Sequence, residues 1–203
     1  APESRALLRA LLGHYGESSD PGERAELMER LLAVSEGEDA AALARRLITV
    51  HESLDDEHGV ARALDLGFKA CPGDAALRER LETHYREREA YDDLAAMIAH
   101  DAAHREDPEE ALARAREAAA LYRETLQQPG RAAEVLRAAW ERRPGDLGLL
   151  EELVGDLAEA GLHSAGAEDV AVALEAHAEA TPERAALLRI GARLELAAGG
   201  VER

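Results

Sequence analysis

Phe68-Lys69-Ala70-Cys71-Pro72-Gly73-Asp74-Ala75-Ala76-Leu77 and Trp140-Glu141-Arg142-Arg143-Pro144-Gly145-Asp146-Leu147-Gly148-Leu149 follow one pattern. In each stretch an aromatic stands four residues before the proline of a Pro-Gly-Asp triplet, and leucines follow at matching offsets (Leu77 with Leu149, Leu81 with Leu153). Proline cannot continue a helix and pushes the residue before it out of the α region. Glycine tolerates the turn geometry that follows, and aspartate accepts from the first free N–H groups of a new helix. Each triplet therefore closes one helix and opens the next. Pro72 and Pro144 lie 72 residues apart. That is two periods of about 36, close to the helix-turn-helix units of about 34 residues that stack into solenoids.

Outward from the triplets, apolar spacing reads as helix along the whole chain. Leu7, Leu8, Leu11 and Leu12 form a stripe that ends near Gly13–Gly16. Ser18-Ser19-Asp20-Pro21 offers an N-cap with proline at the first helical position, and the helix behind it is expected to stop at Gly37. Further helices are expected from about Asp39 to Leu54, after the polar turn Asp55-Asp56-Glu57-His58, and either side of a turn near Glu89. Asp107-Pro108 starts another, Gln127 to Gly130 break it, and Gly161 stops the one after the second triplet. About eleven helices of roughly 12 to 20 residues with short connections suit antiparallel hairpins. No linker or charge block divides the 203 residues, so one domain is expected.

Composition supports an all-α reading. Aromatics are 3% of the chain, and Ala, Leu, Glu and Arg dominate. The formal charge is −18, from 42 acids against 24 bases. Holding a polyanion depends on Lys and Arg releasing counterions, so nucleic acid and anionic membrane are disfavoured partners. The acid excess reads either as the solubility of an exposed helical surface or as attraction for a basic segment. Lys69 is the sole lysine, a usage that points to a GC-rich bacterial genome. No stretch is apolar enough to span a membrane, and Ala1-Pro2-Glu3-Ser4 lacks the features of a signal peptide, so a cytoplasmic location is expected. Cys71 is the only cysteine, which rules out an intramolecular disulfide.

These residues resemble tetratricopeptide repeats. The clearest match is the unit ending at Pro144, where Tyr122 fits the first-helix aromatic, Ala132 and Ala139 the small second-helix positions, and Leu136 the large one between them. Leu81, Tyr85, Tyr91 and Ile98 fit in the unit from Ala75 onward, and Leu47, Val60, Leu64 and Gly67 in the unit before it. Glu82 and Asp101 depart from the pattern by standing where small residues are usual, and the last unit looks lengthened around His163 to Glu168. The likeness covers residues 38–180, with degenerate pairs at both ends. Gly199-Gly200 reads as a turn into a further helix, and the chain as a piece of a longer protein.

The resemblance implies a right-handed α-α superhelix of about five hairpins that binds a protein or peptide on a concave face lined by first helices. By register that face would carry Arg45, Thr49, Glu52, Glu79, Thr83, Arg86, Glu87, Arg116, Arg123, Glu124, Glu151 and Gly155. It implies no cofactor and no catalysis. With one lysine and no asparagine, capture of acidic chaperone tails is not expected.

Two other readings stay open. Exposed apolar ends of such an array could drive weak self-association. His100 and His104, one helical turn apart with Asp101 beside them, could share a metal in an enzyme, although a third ligand is not apparent. His51 and His58 flank the acidic turn and make a thinner case. No nucleophile elbow or phosphate-binding loop is present, and the tyrosines and Trp140 have the spacing of packing residues.

Overall fold

A computed structural model of the chain describes residues 5–15, 20–176 and 181–201. Among these residues it is all-helical and has no strand. The elements are α1 (Arg5–Tyr15), α2 (Pro21–Leu32), α3 (Gly37–Ser53), α4 (Glu57–Ala70), α5 (Ala75–Glu87) and α6 (Tyr91–His104). They continue with α7 (Pro108–Ala120), a π turn (Leu121–Thr125), α8 (Pro129–Arg142), α9 (Leu147–Glu159), α10 (His163–Ala176) and α11 (Pro182–Val201). The helices fall into two compact units, residues 1–89 and 90–203. Within each unit, helices consecutive in sequence pack on one another. No described helix is long and apolar enough to cross a membrane.

The two triplets build the same joint. Asp74 Oδ1 accepts from the Leu77 N–H at 2.9 Å, and Asp146 Oδ1 from the Leu149 N–H at 3.0 Å. The residues before the prolines adopt like conformations, φ −146°, ψ 74° at Cys71 and φ −141°, ψ 59° at Arg143. The aspartate N–H donates back to those residues' carbonyls, at 3.1 Å from Asp74 and 2.9 Å from Asp146. Phe68, Leu77 and Leu81 are buried in the first unit, and Trp140, Leu149 and Leu153 in the second. Covering these side chains is what stabilises a hairpin too thin to have an interior of its own.

Arginine–carboxylate pairs show which helices lie side by side. In the first unit Arg45 of α3 meets Asp74 at the start of α5, and Arg80 of α5 meets Glu52 of α3. In the second, Arg116 of α7 holds Glu152 of α9 with Nε at 3.0 Å and Nη2 at 2.8 Å, while Arg193 of α11 meets Glu151 of α9. The even-numbered helices are linked likewise. Arg62 of α4 lies 3.2 Å from Glu29 of α2, Arg131 of α8 meets Asp92 of α6, and Arg137 of α8 lies 2.6 Å from Asp169 of α10. Ion pairs thus bridge odd-numbered helix to odd-numbered helix and even to even within each unit.

Several boundaries differ from the sequence expectation. Gly37 does not stop the second helix: α2 ends at Leu32, and Gly37 opens α3 with φ +65°. Pro129 and Gly130 lie inside the first turn of α8, where proline has no N–H to lose. The break before them is made by Gln127 at φ +55°. His163 to Glu168 are the first turns of α10 and not a lengthened connection. Likewise, α11 runs through Gly199 and Gly200 without a turn. Ser18 and Ser19 lie outside the described residues. Asp20 precedes Pro21 at the start of α2, but its side chain makes no cap bond.

Candidate functional site

Among the face residues expected in the first unit, Arg45, Thr49 and Glu52 occupy one exposed stripe of α3, and Glu79, Thr83, Arg86 and Glu87 one of α5. Spacings of three, four and seven put such residues on one side of a helix. The two stripes are brought together by the Arg45–Asp74 and Glu52–Arg80 pairs. Arg45 also donates to Glu38 at 2.7 Å, and its pKa is raised chiefly by that bond. Thr49 and Thr83 donate to the carbonyls of Arg45 and Glu79, at 3.2 and 2.9 Å. Arg86 pairs with Glu82 at 2.9 Å. Arg45, Glu52 and Arg86 of this face are therefore each engaged by an oppositely charged residue beside it.

The second unit divides its expected face residues. Arg116, Glu151 and Gly155 are exposed, and the first two carry the pairs to α9 and α11. Glu124 is exposed on the π turn. Arg123, on the same turn, places Nε 2.8 Å from Oδ1 of Asp156, whose side chain is only 3% exposed. Burial pushes Asp156 up to about 6 against the pull of Arg123, and Glu159 and Glu152 add to the rise. Its second oxygen is buried without a hydrogen-bond partner. Arg123 is thus paired with a buried acid while its side chain stays about a third exposed.

Both departures from the repeat pattern are buried acids held by arginine. Glu82 pairs with Arg86, and Asp101 accepts from Arg105 at 3.1 Å and Arg114 at 2.9 Å. His100 and His104 stack, with ring centroids 4.1 Å apart, and Nδ1 of His104 lies 2.8 Å from the His100 carbonyl. Among the described residues no group of three or more His, Cys, Asp or Glu is arranged to hold a metal ion. His58 is exposed, whereas His51 is buried. Nε2 of His51 is 3.2 Å from Glu29, and Nδ1 is 2.9 Å from Asp56 without hydrogen-bond alignment. A hydrogen bond from the Gly59 N–H is the main cause holding Asp56 below its usual pKa, with His51 and Arg62 adding and burial opposing. This cluster joins α2, α3 and the start of α4.

The structure adds a feature the sequence did not single out. A groove of about 390 Å³ opens in the second unit among α6, α7 and α8. Ala99, Ala102 and Ala103 of α6 face Ala111, Leu112 and Ala115 of α7, and Val135, Ala138 and Ala139 of α8 complete the wall. Alanines on three facing helices leave a valley that leucines would fill. Arg142 and Arg143 stand at the end formed by the C-termini of α6 and α8 and the N-terminus of α7, and Glu134 stands toward the other. The only trace in the sequence was a scarcity of large side chains on these faces, which reads equally as close helix packing.

A scan of the chain against protein-family models finds no match. A search of curated proteins finds no significant match either.

Proposed function

We infer that this chain is a tetratricopeptide-like helical-repeat module, its hairpins wound as a right-handed solenoid, that binds a protein or peptide segment and catalyses no reaction. The observation that carries this reading is the pair of exposed stripes of mixed charge on α3 and α5, bridged by the Arg45–Asp74 and Glu52–Arg80 ion pairs. Exposed ion pairs are worth only about 0–1 kcal/mol each, so a partner bearing both signs exchanges them at little cost. Glu79 and Glu87 are the exposed acids of α5 that favour a basic side chain on that partner. The test is selection of binders from a displayed random-peptide library on the full chain, followed by affinity measurement on an E79K/E87K variant. A drop of tenfold or more supports the face; unchanged affinity removes it.

A second reading, self-association, is favoured by the exposed Val172 of α10 and the exposed Leu188 and Leu196 of α11, the last 78% exposed. Single exposed leucines are ordinary, but several on adjoining helices suit a contact. Sedimentation over a wide concentration range distinguishes the two: a strictly monomeric species rejects self-association.

A further inference from the structure

The geometry points to the α6–α7–α8 groove as a site for an aliphatic carboxylate, its chain lying along α8 and its head group meeting Arg142. This goes beyond the segment-binding reading and uses other residues.

The volume of about 390 Å³ lies in the range of small-molecule sites, which are mostly apolar with few polar groups to fix orientation. From Glu134 to Arg142 the groove follows eight residues of α8, about 12 Å at the helical rise, so it suits a medium-length chain. Arg142 donates to two neutral acceptors, the carbonyls of Ala102 at 3.2 Å and Arg105 at 3.0 Å. Among the described residues it has no carboxylate partner, whereas Arg143 beside it lies 2.9 Å from Glu109. A guanidinium has five N–H donors in a planar fork, so three remain for a carboxylate. Those two carbonyls also hold the guanidinium in place before any ligand arrives, which lowers the cost of ordering it. Glu134 repels an anion at the opposite end, so the head group has one favourable orientation. A neutral amphiphile gains the apolar contacts but not the charge, and a cationic one meets Arg142 with the wrong sign.

The experiment is calorimetric titration of the full chain with decanoate, 1-decanol and decyltrimethylammonium below their aggregation limits. Two variants are measured alongside it. R142Q removes the charge, and A138F fills the groove from an exposed position without entering the core. The expected result is saturable one-to-one binding of decanoate, at least tenfold tighter than of the alcohol or the cation. R142Q removes that preference, and A138F removes binding while its helical circular dichroism stays that of the parent. Absence of saturable decanoate binding overturns the proposal. So does equal binding of all three probes, or decanoate affinity retained in a folded A138F.

Discussion

Asp156 shows how a single side chain in this protein ties stability to pH. Its carboxyl is buried with one oxygen against Arg123 of the π turn and the other unpartnered, and burial raises it from 3.8 to about 6. In the unfolded chain the same group titrates near its ordinary value. Between about pH 4 and pH 6 the folded form keeps a proton that the unfolded form has lost, so folding is favoured at the acid end. That contribution disappears as pH rises through 6, and two pKa units correspond to about 3 kcal/mol. Asp156→Asn cannot titrate. Urea denaturation from pH 4 to pH 7 should therefore show wild type losing about 2 kcal/mol relative to D156N, the rest of the shift lying below pH 4. A difference that stays constant with pH would mean the acid is solvated in the fold. Glu82 and Asp101 follow the same local logic by another route, each matched to arginine on a neighbouring turn or helix. Sequence could flag these two as misfits in a small-residue position. It could not flag Asp156 or its ion pair with Arg123, because partner choice depends on helices that meet only after folding.

At the level of helices, what could be read depended on whether a residue dictates backbone geometry. Pro72 and Pro144 do, and Asp74 and Asp146 cap α5 and α9 as their side chains require. Asp146→Ala should lower stability by about 1 kcal/mol in a thermal or urea melt. Asp74→Ala should cost more than that, because Arg45 loses one of its two carboxylate partners as well. Glycines were less legible, since they punctuate only where φ must be positive, as at Gly161 with φ +75°. The π turn was invisible because Leu121-Tyr122-Arg123-Glu124-Thr125 suits an α-helix equally well. Two helical glycines separate packing from propensity. A Cβ on Gly67 of α4 would lie 2.5 Å from Ala44 Cβ and 3.1 Å from Leu77 Cδ1, so Gly67→Ala forces α3 and α4 apart. Overpacking of that kind costs about 1–3 kcal/mol. Gly155 of α9 has nothing within 4 Å of the same position, so Gly155→Ala should stabilise by about 0.5–1 kcal/mol. Melting both variants beside the parent checks the contrast. A destabilised G155A would mean that α9 is tighter there than its open surroundings indicate.

Across the whole molecule, two compact units with their own buried residues predict that stability is set locally. Residues 1–89 close around Leu47, Leu64, Phe68 and Leu77, and residues 90–203 around Leu136, Trp140, Leu149 and Leu153. In stacked helical hairpins the free energy is roughly a sum of unit terms and nearest-neighbour interfaces. Damage in one place then lowers protection there first, and amides exchange through openings whose cost varies along the chain. Gly67→Ala supplies a defined injury, since its clash falls on α3 and α5 inside the first unit. Native-state hydrogen exchange on the G67A variant of the whole 203-residue chain should show faster exchange for amides of α3 and α4. Those of α8 and α9 around Leu136 and Leu153 should keep the protection they have in the parent. Acceleration by the same factor in all four helices would mean that the chain opens as one cooperative body, in which case additive accounting by hairpin fails for this protein.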